Sequence, residues 1–143
     1  IPATWLAGEM AITGGWDSTF TVRTEEPSLT VIHGGEADRV VEVLIGGGSF
    51  VLRGFTVTEG AAASAAGIEV NPAGESAAAV TLSNLIVENN HASFAGVCQG
   101  GGIRGVLDGT ERLEIPSTSS RATSVVWSAS SSRSAMWSCG SWP

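Results

Sequence analysis

The chain has 143 residues, of which 19 are glycine, and a formal net charge of −7 with only 15% charged residues. Nucleic-acid backbones are bound through basic stripes, so this acidity argues against a nucleic-acid partner. No apolar run approaches the roughly 18 residues of a transmembrane helix, so membrane insertion is not expected. The absence of Lys, together with short runs of Val, Ile and Thr between glycines, predicts a single all-β domain.

The first third of the chain contains two predicted strands around a turn. Gly14-Gly15-Trp16-Asp17 predicts the turn, and the alternation in residues 20–23 predicts a strand with Phe20 and Val22 on one face. A loop is expected around Pro27, because proline disfavours a paired strand. Residues 29–33 predict the next strand, which Gly34-Gly35 closes.

Residues 49–60 have a second copy thirty positions later, at residues 79–90. In the first copy, Arg53-Gly54 interrupts the alternation of apolar and polar residues. Leu52 and Phe55, on either side of this interruption, are therefore both expected to point inward across a corner. A repeat of about 25–35 residues cannot bury enough apolar surface alone, so the copies are expected to stack as a parallel β-solenoid. The aligned apolar positions are Phe50 with Val80, Leu52 with Leu82, Phe55 with Leu85 and Val57 with Val87.

Further motifs recur in the order expected of such coils. They are Gly-Gly-Trp-Asp-x-x-Phe-x-x-Arg at 14–23, Thr-Val-Ile-His-Gly-Gly at 30–35, Gly-Phe-Thr-Val-Thr-x-Gly at 54–60, Asn-Asn-x-Ala at 89–92 and Gly-Gly-Gly-Ile at 100–103. Together they resemble secreted bacterial proteins with right-handed parallel β-helix repeats, the pectate-lyase-like superfamily, and are similar to repeats of chlamydial polymorphic outer-membrane proteins. The resemblance covers about residues 8–115. It implies about four or five coils in a secreted or cell-surface bacterial protein, without implying one activity.

The pattern stops at Pro116, which predicts repeats in residues 1–115 and an irregular tail in 116–143. The tail contains 11 Ser, three Trp and no acidic residue. It is either a cap over the last coil or a segment translated out of frame. Because the chain starts at Ile1 without a signal-peptide pattern, it is expected to be processed or a fragment. Coils left without a cap predict end-to-end association.

Three charged residues are expected to form a column. Glu42, Glu69 and Arg104 follow the same apolar position in successive coils, so they are predicted to project outward in line. Carboxylates about 5 Å apart approach the separation used by retaining glycosidases, and their repulsion would raise the pKa of one of them. The alternative interpretation is a solvated face with one ion pair.

A calcium site is the second candidate. Asp38 and Arg39, beside Glu36, could hold Ca²⁺ together with Asp17, in a manner that resembles pectate lyases. Calcium takes six or more oxygen ligands, and no dense acidic cluster is present. The alternative is a set of ordinary loop charges, and no other metal or cofactor is predicted.

The aromatic residues and cysteines leave several alternatives. Trp5 and Trp16 either stack against sugars or pack over the end or corner of a coil. Cys98 and Cys139 either pair or are both free, since two cysteines define no disulfide framework.

Two functions therefore remain open. The first is a non-catalytic segment with a structural, adhesive or glycan-contacting role, because no catalytic motif is found. The second is a fragment of a polysaccharide lyase or glycoside hydrolase of the β-helix class.

Overall fold

The computed structural model describes residues 2–5, 8–72, 78–93, 101–107, 112–115, 119–120 and 125–129. Strands dominate, and the one helix among these residues is a 3-10 helix at Pro27–Leu29, so the prediction of an all-β fold is confirmed. No helix in this part of the chain is long and apolar enough to cross a membrane. The strands are β1 (Pro2–Trp5), β2 (Glu9–Thr13), β3 (Val31–His33), β4 (Val41–Ile45), β5 (Gly48–Thr58), β6 (Ala61–Ala62), β7 (Ile68–Pro72), β8 (Ala78–Glu88), β9 (His91–Ala92), β10 (Ile103–Leu107), β11 (Arg112–Glu114), β12 (Ser119–Ser120) and β13 (Val125–Ala129).

Most strands belong to two parallel sheets, between which the chain alternates. The first sheet has the order β1-β4-β7-β10-β13. The second has the order β11-β8-β5-β2, with β3 pairing with β5 and β12 with β8. Strands β6 and β9 form a separate two-stranded sheet, and all of these strand pairs are parallel. Neighbours within a sheet are therefore separated in sequence by a strand of another sheet.

The core lies between the two sheets, and the register of β5 on β8 determines its layers. The four apolar pairs that the repeat predicted between β5 and β8 all form, and the eight side chains of these pairs are buried. The first sheet adds Val43 and Val70, which are paired with each other and fully buried. Burial of each apolar side chain stabilises the fold by about 1.5–3 kcal/mol. The layered pairs in the second sheet are Phe50 with Val80, Leu52 with Leu82, Phe55 with Leu85 and Val57 with Val87.

The predicted corner at Gly54 is confirmed. Gly54 has φ +76° and its counterpart Asn84 has φ +50°, a region that favours glycine and asparagine. This bend lets Leu52 and Phe55 both face the core, with 1% and 6% of their surface exposed. A Cβ atom on Gly54 would lie 2.8 Å from the Gly14 carbonyl oxygen, so the position also requires a residue without a side chain.

The predicted strand at residues 20–23 is wrong. Phe20 occupies a turn with φ +56°, and Phe20 and Val22 are 76% and 57% exposed. The only strand-like pairing here is an isolated antiparallel bridge between Trp16 and Arg23. The cause is local, because the Asp17 carboxylate accepts the backbone N–H groups of Thr21 and Val22.

The strand pairing continues beyond the predicted end of the repeats at Ile115. Strand β12 pairs with β8, and β13 pairs with β10, with Val125 opposite Ile103. Val125-Val126-Trp127 is a β-branched and aromatic run that suits a strand. Residues 119–120 and 125–129 are therefore strands, while the division of the chain into repeats and tail after residue 115 stays a prediction. Residues 130–143 lie outside the described residues, so the cap and the out-of-frame segment both stay predictions.

Truncation of a layered core residue tests this architecture. Leu52 lies between Ile12 and Leu82 in neighbouring strands and is 1% exposed. Leu52→Ala should lower the free energy of unfolding by about 2–5 kcal/mol, because it leaves a cavity between two occupied layers. Urea denaturation measures the loss. Val31→Ala, at a position 53% exposed, is the control and should change stability by less than about 0.5 kcal/mol.

Candidate functional site

The predicted column of Glu42, Glu69 and Arg104 forms in the first sheet. Glu42 on β4 is paired in register with Glu69 on β7, and Glu69 with Arg104 on β10. Neighbouring residues Val41, Val43, Ile68 and Val70 face the core. Side chains alternate between the faces of a strand, so the column lies on the outer face of the sheet.

Arg39 also joins this column, although the sequence interpretation places Arg39 in the candidate calcium site. Its Nη1 atom pairs with Glu69 Oε2 and lies 2.7 Å from Glu42 Oε1. Arg104 Nη1 lies 2.5 Å from Glu69 Oε1. The two carboxylates are thus bridged by a guanidinium group. The hint in the sequence was the position of Arg39, just before β4 and three residues before Glu42.

Burial of Glu69 decides what this column can do. Its side chain is only 4% exposed, while those of Arg39, Glu42 and Arg104 are 24–31% exposed. A glycosidase carboxylate must reach the scissile bond, but Glu69 is enclosed between two guanidinium groups. The chemistry supported by this arrangement is charge neutralisation across three neighbouring strands.

A pair of amide variants separates the two acids of the column. Glu69→Gln removes a buried carboxylate that neutralises Arg39 and Arg104, so it should lower the free energy of unfolding by about 1–3 kcal/mol. Glu42→Gln, which affects a more exposed pair, should cost less than about 1 kcal/mol. Urea denaturation at low ionic strength compares them. Equal losses would contradict the central role assigned to Glu69.

The residues proposed for calcium do not come together. Among the described residues no group of three or more His, Cys, Asp or Glu side chains is placed to hold a metal ion. Asp38 Oδ1 instead accepts the backbone N–H of Arg39 at 2.7 Å. Asp17 is occupied by donors of its own loop, so the structure does not unite Asp17, Glu36 and Asp38 in one cluster.

A second candidate site lies in residues 14–30, an insertion between β2 and β3. Its base is held by hydrogen bonds from Gly15 N to Thr30 Oγ1 at 3.0 Å and from Arg23 Nε to Gly14 O at 3.0 Å. Its far side rests on the second sheet, where Thr56 Oγ1 donates to Pro27 O at 3.1 Å. The insertion is therefore anchored at both ends.

The tip of the insertion is organised by Asp17. Oδ1 accepts the N–H groups of Thr21 and Val22, and Oδ2 accepts the hydroxyls of Thr19 at 2.8 Å and Thr21 at 3.3 Å. The Asp17 N–H donates to Val22 O and its carbonyl accepts from Phe20 N, both at 3.0 Å. These bonds hold Phe20 at the tip with its ring in solvent. A bulky residue with positive φ is a strained feature that concentrates at functional sites.

An open groove of about 580 Å³ runs along this insertion. Trp16 is half-buried beside it, and Phe20 is exposed. The groove thus combines two aromatic side chains with hydroxyl groups, a lining typical of small-molecule sites. Phe20 was missed as a site residue because the alternation of residues 20–23 had indicated a strand face. The residues lining the groove are Thr13, Gly14, Trp16, Asp17, Ser18, Phe20, Leu29 and Thr30.

The hydrogen bonds to Asp17 also affect its ionisation. The Thr19 hydroxyl, followed by the backbone N–H of Val22 and the donors of Thr21, lowers the pKa of Asp17 below its usual range. Hydrogen bonds to a carboxylate stabilise its charged form. Asp17 is therefore an ionised group at the groove at neutral pH.

Removal of the Thr19 hydroxyl tests this effect. In Thr19→Ala the pKa of Asp17 should rise towards the ordinary value of about 3.9, as followed by NMR titration of the side-chain carboxyl carbon. In the parent chain, ionised Asp17 stabilises the folded state above its unfolded pKa, and this contribution is lost as the pH falls through the lower folded pKa. Ser28→Ala, whose hydroxyl binds Glu26, is the control and should leave the Asp17 pKa unchanged.

Three of the remaining residues lie wholly or partly outside the described part of the structure. The backbone of Trp5 lies in β1, and its side chain is outside the described part of the structure, as are Cys98 and Cys139. His33 Nε2 lies 2.9 Å from Glu59 Oε2, and its Nδ1 accepts the N–H of Gly35 at 3.1 Å. Both ring nitrogens are thus engaged at a turn.

Comparison with known proteins finds no matching family model, no matching curated protein and no matching solved structure. The geometry of the column and of the groove is therefore the basis for a functional assignment.

Proposed function

We propose that the chain is a segment of a right-handed parallel β-helix, secreted by or displayed on a bacterium, that contacts glycans without cleaving them. The contact surface is the groove between Trp16 and Phe20. The observation that carries the proposal is the placement of these two aromatic side chains beside hydroxyl groups, on a backbone turn that Asp17 fixes.

The β-helix assignment is supported by the alternation of the chain between two parallel sheets and by the thirty-residue register of β5 on β8. Corners at Gly54 and Asn84 fall at equivalent places in successive repeats. Crossover connections between parallel strands are right-handed in about 98% of cases, which favours that hand. The location outside the cell follows from the resemblance of residues 8–115 to secreted bacterial repeats.

Glycan contact is supported by the chemistry of the groove. A pyranose ring presents an apolar face of C–H groups and a rim of hydroxyls. Aromatic rings suit the face, and the hydroxyls of Thr13, Ser18 and Thr30 suit the rim. Because the insertion is already ordered by Asp17 and Arg23, little conformational entropy is lost on binding.

A non-catalytic role is supported by the column. Glu42 and Glu69 are the carboxylates that the sequence suggested for catalysis, and both are paired with arginine. The enzymatic alternative, a fragment of a lyase or hydrolase, predicts new reducing ends or unsaturated products from a polysaccharide. Formation of such products would favour that alternative over the proposed one.

End-to-end association is a further part of the proposal. Strands β1 and β2 end their sheets among the described strands, and an unpaired strand edge can accept another strand. Sedimentation velocity over a range of concentrations detects such association independently of glycan binding.

Truncation of the aromatic side chains tests the proposed contact. Phe20→Ala and Trp16→Ala should each weaken glycan binding roughly tenfold, because each removes a stacking surface. A glycan array identifies a ligand and isothermal titration calorimetry measures the affinity. Phe20 is 76% exposed, so its loss leaves the fold intact even if Trp16→Ala disturbs the insertion.

Val31→Ala is the matched control, since Val31 is exposed and does not line the groove. Its glycan affinity should equal that of the parent chain. Full affinity in both aromatic variants would refute the contact at this groove.

A further inference from the structure

The charges around the Trp16–Phe20 groove restrict the glycans that it can accept. Of the described residues that line it, Asp17 is the one charged residue, and none carries a positive charge. A carboxylated sugar placed there would face a negative charge and find no cationic partner.

The hydrogen bonds of Asp17 make it a poor ligand for a sugar hydroxyl. Asp17 accepts the N–H groups of Thr21 and Val22 and is also hydrogen-bonded by the hydroxyls of Thr19 and Thr21, whose two oxygens lie 2.7 Å apart and share their protons. It therefore supplies a fixed negative charge to the groove, and most of its roughly four acceptor sites are already occupied.

Two arginines at the insertion, Arg23 and Arg53, are engaged with other partners. Arg23 donates to Gly14 O and pairs with Glu25 at 2.8 Å, and Arg53 also pairs with Glu25, at 3.3 Å. Arg23 Nη2 and Arg53 Nε have no hydrogen-bond partner, but both atoms are buried and neither residue lines the groove. An anionic ligand in the groove would have to compete with Glu25 for either guanidinium group.

We propose that the groove selects neutral glycans and rejects those built from uronic acids. This inference rests on the proposed function, that the groove contacts glycans. The hydroxyls of Thr13, Ser18 and Thr30 exchange hydrogen bonds with the sugar, while Trp16 and Phe20 cover its apolar face. The net charge of −7 adds long-range repulsion of polyanions.

The experiment compares two hexasaccharides of equal length, a neutral glucan and a galacturonan, by isothermal titration calorimetry with the 143-residue chain. The neutral ligand should bind at least about tenfold more tightly at low ionic strength, and added salt should narrow the difference by screening the charges. Equal or tighter binding of the galacturonan would overturn the selectivity while leaving glycan contact intact. Binding of neither ligand would overturn the selectivity together with the proposed function.

A charge introduced at the groove gives a sharper test. Ser18 is exposed and lines the groove, so Ser18→Lys should raise affinity for the galacturonan roughly five- to tenfold. Ser93→Lys makes the same change at an exposed serine outside the groove and should leave that affinity close to the parent value. The same increase in both variants would mean that net charge, and not the groove, decides selectivity. A roughly tenfold weaker neutral-glycan affinity in Phe20→Ala, but not in Val31→Ala, places the ligand at the groove. Full affinity in both Phe20→Ala and Trp16→Ala would overturn the site.

Discussion

The packing of equivalent apolar side chains in parallel register is the constraint on which the other features depend. Two examples of this packing are the pairs Phe50 with Val80 and Leu52 with Leu82. Both pairs belong to one apolar core, to which both sheets contribute side chains. Because a slip of one residue would turn every core side chain outward, the layers hold the register firmly. The same register sets which polar residues become neighbours on the outer faces.

The column in the first sheet shows this dependence. Glu42, Glu69 and Arg104 are neighbours because the apolar residues beside them are layered. Buried charges are costly unless they are paired, and Glu69 is enclosed only because Arg39 and Arg104 neutralise it from two sides. Both acids that the sequence offered as catalytic candidates are thus paired with arginine in the structure.

The insertion of residues 14–30 follows a different rule, since its shape comes from local hydrogen bonds. Asp17 binds backbone N–H groups that a strand would otherwise use, and the chain turns at Phe20. The insertion still needs the sheets for its position, because Thr56 of β5 holds Pro27. A groove with a half-buried Trp16 and an exposed Phe20 results from local turn chemistry attached to a layered framework.

The sequence by itself determined the periodic features: the all-β class, the core layers, the corner at Gly54 and the alignment of Glu42, Glu69 and Arg104. These features depend on the spacing of residue types along the chain, which the sequence displays directly. Only the tertiary structure decided how Arg39 is used, how far Glu69 is buried, and that Phe20 turns outward into a groove with Trp16. The physical reason is that these outcomes depend on side chains from different segments, such as Arg39 with Glu69, or on an aspartate that competes with a strand for backbone donors. Alternation of apolar residues carries no information about contacts between distant segments or about this competition for backbone N–H groups.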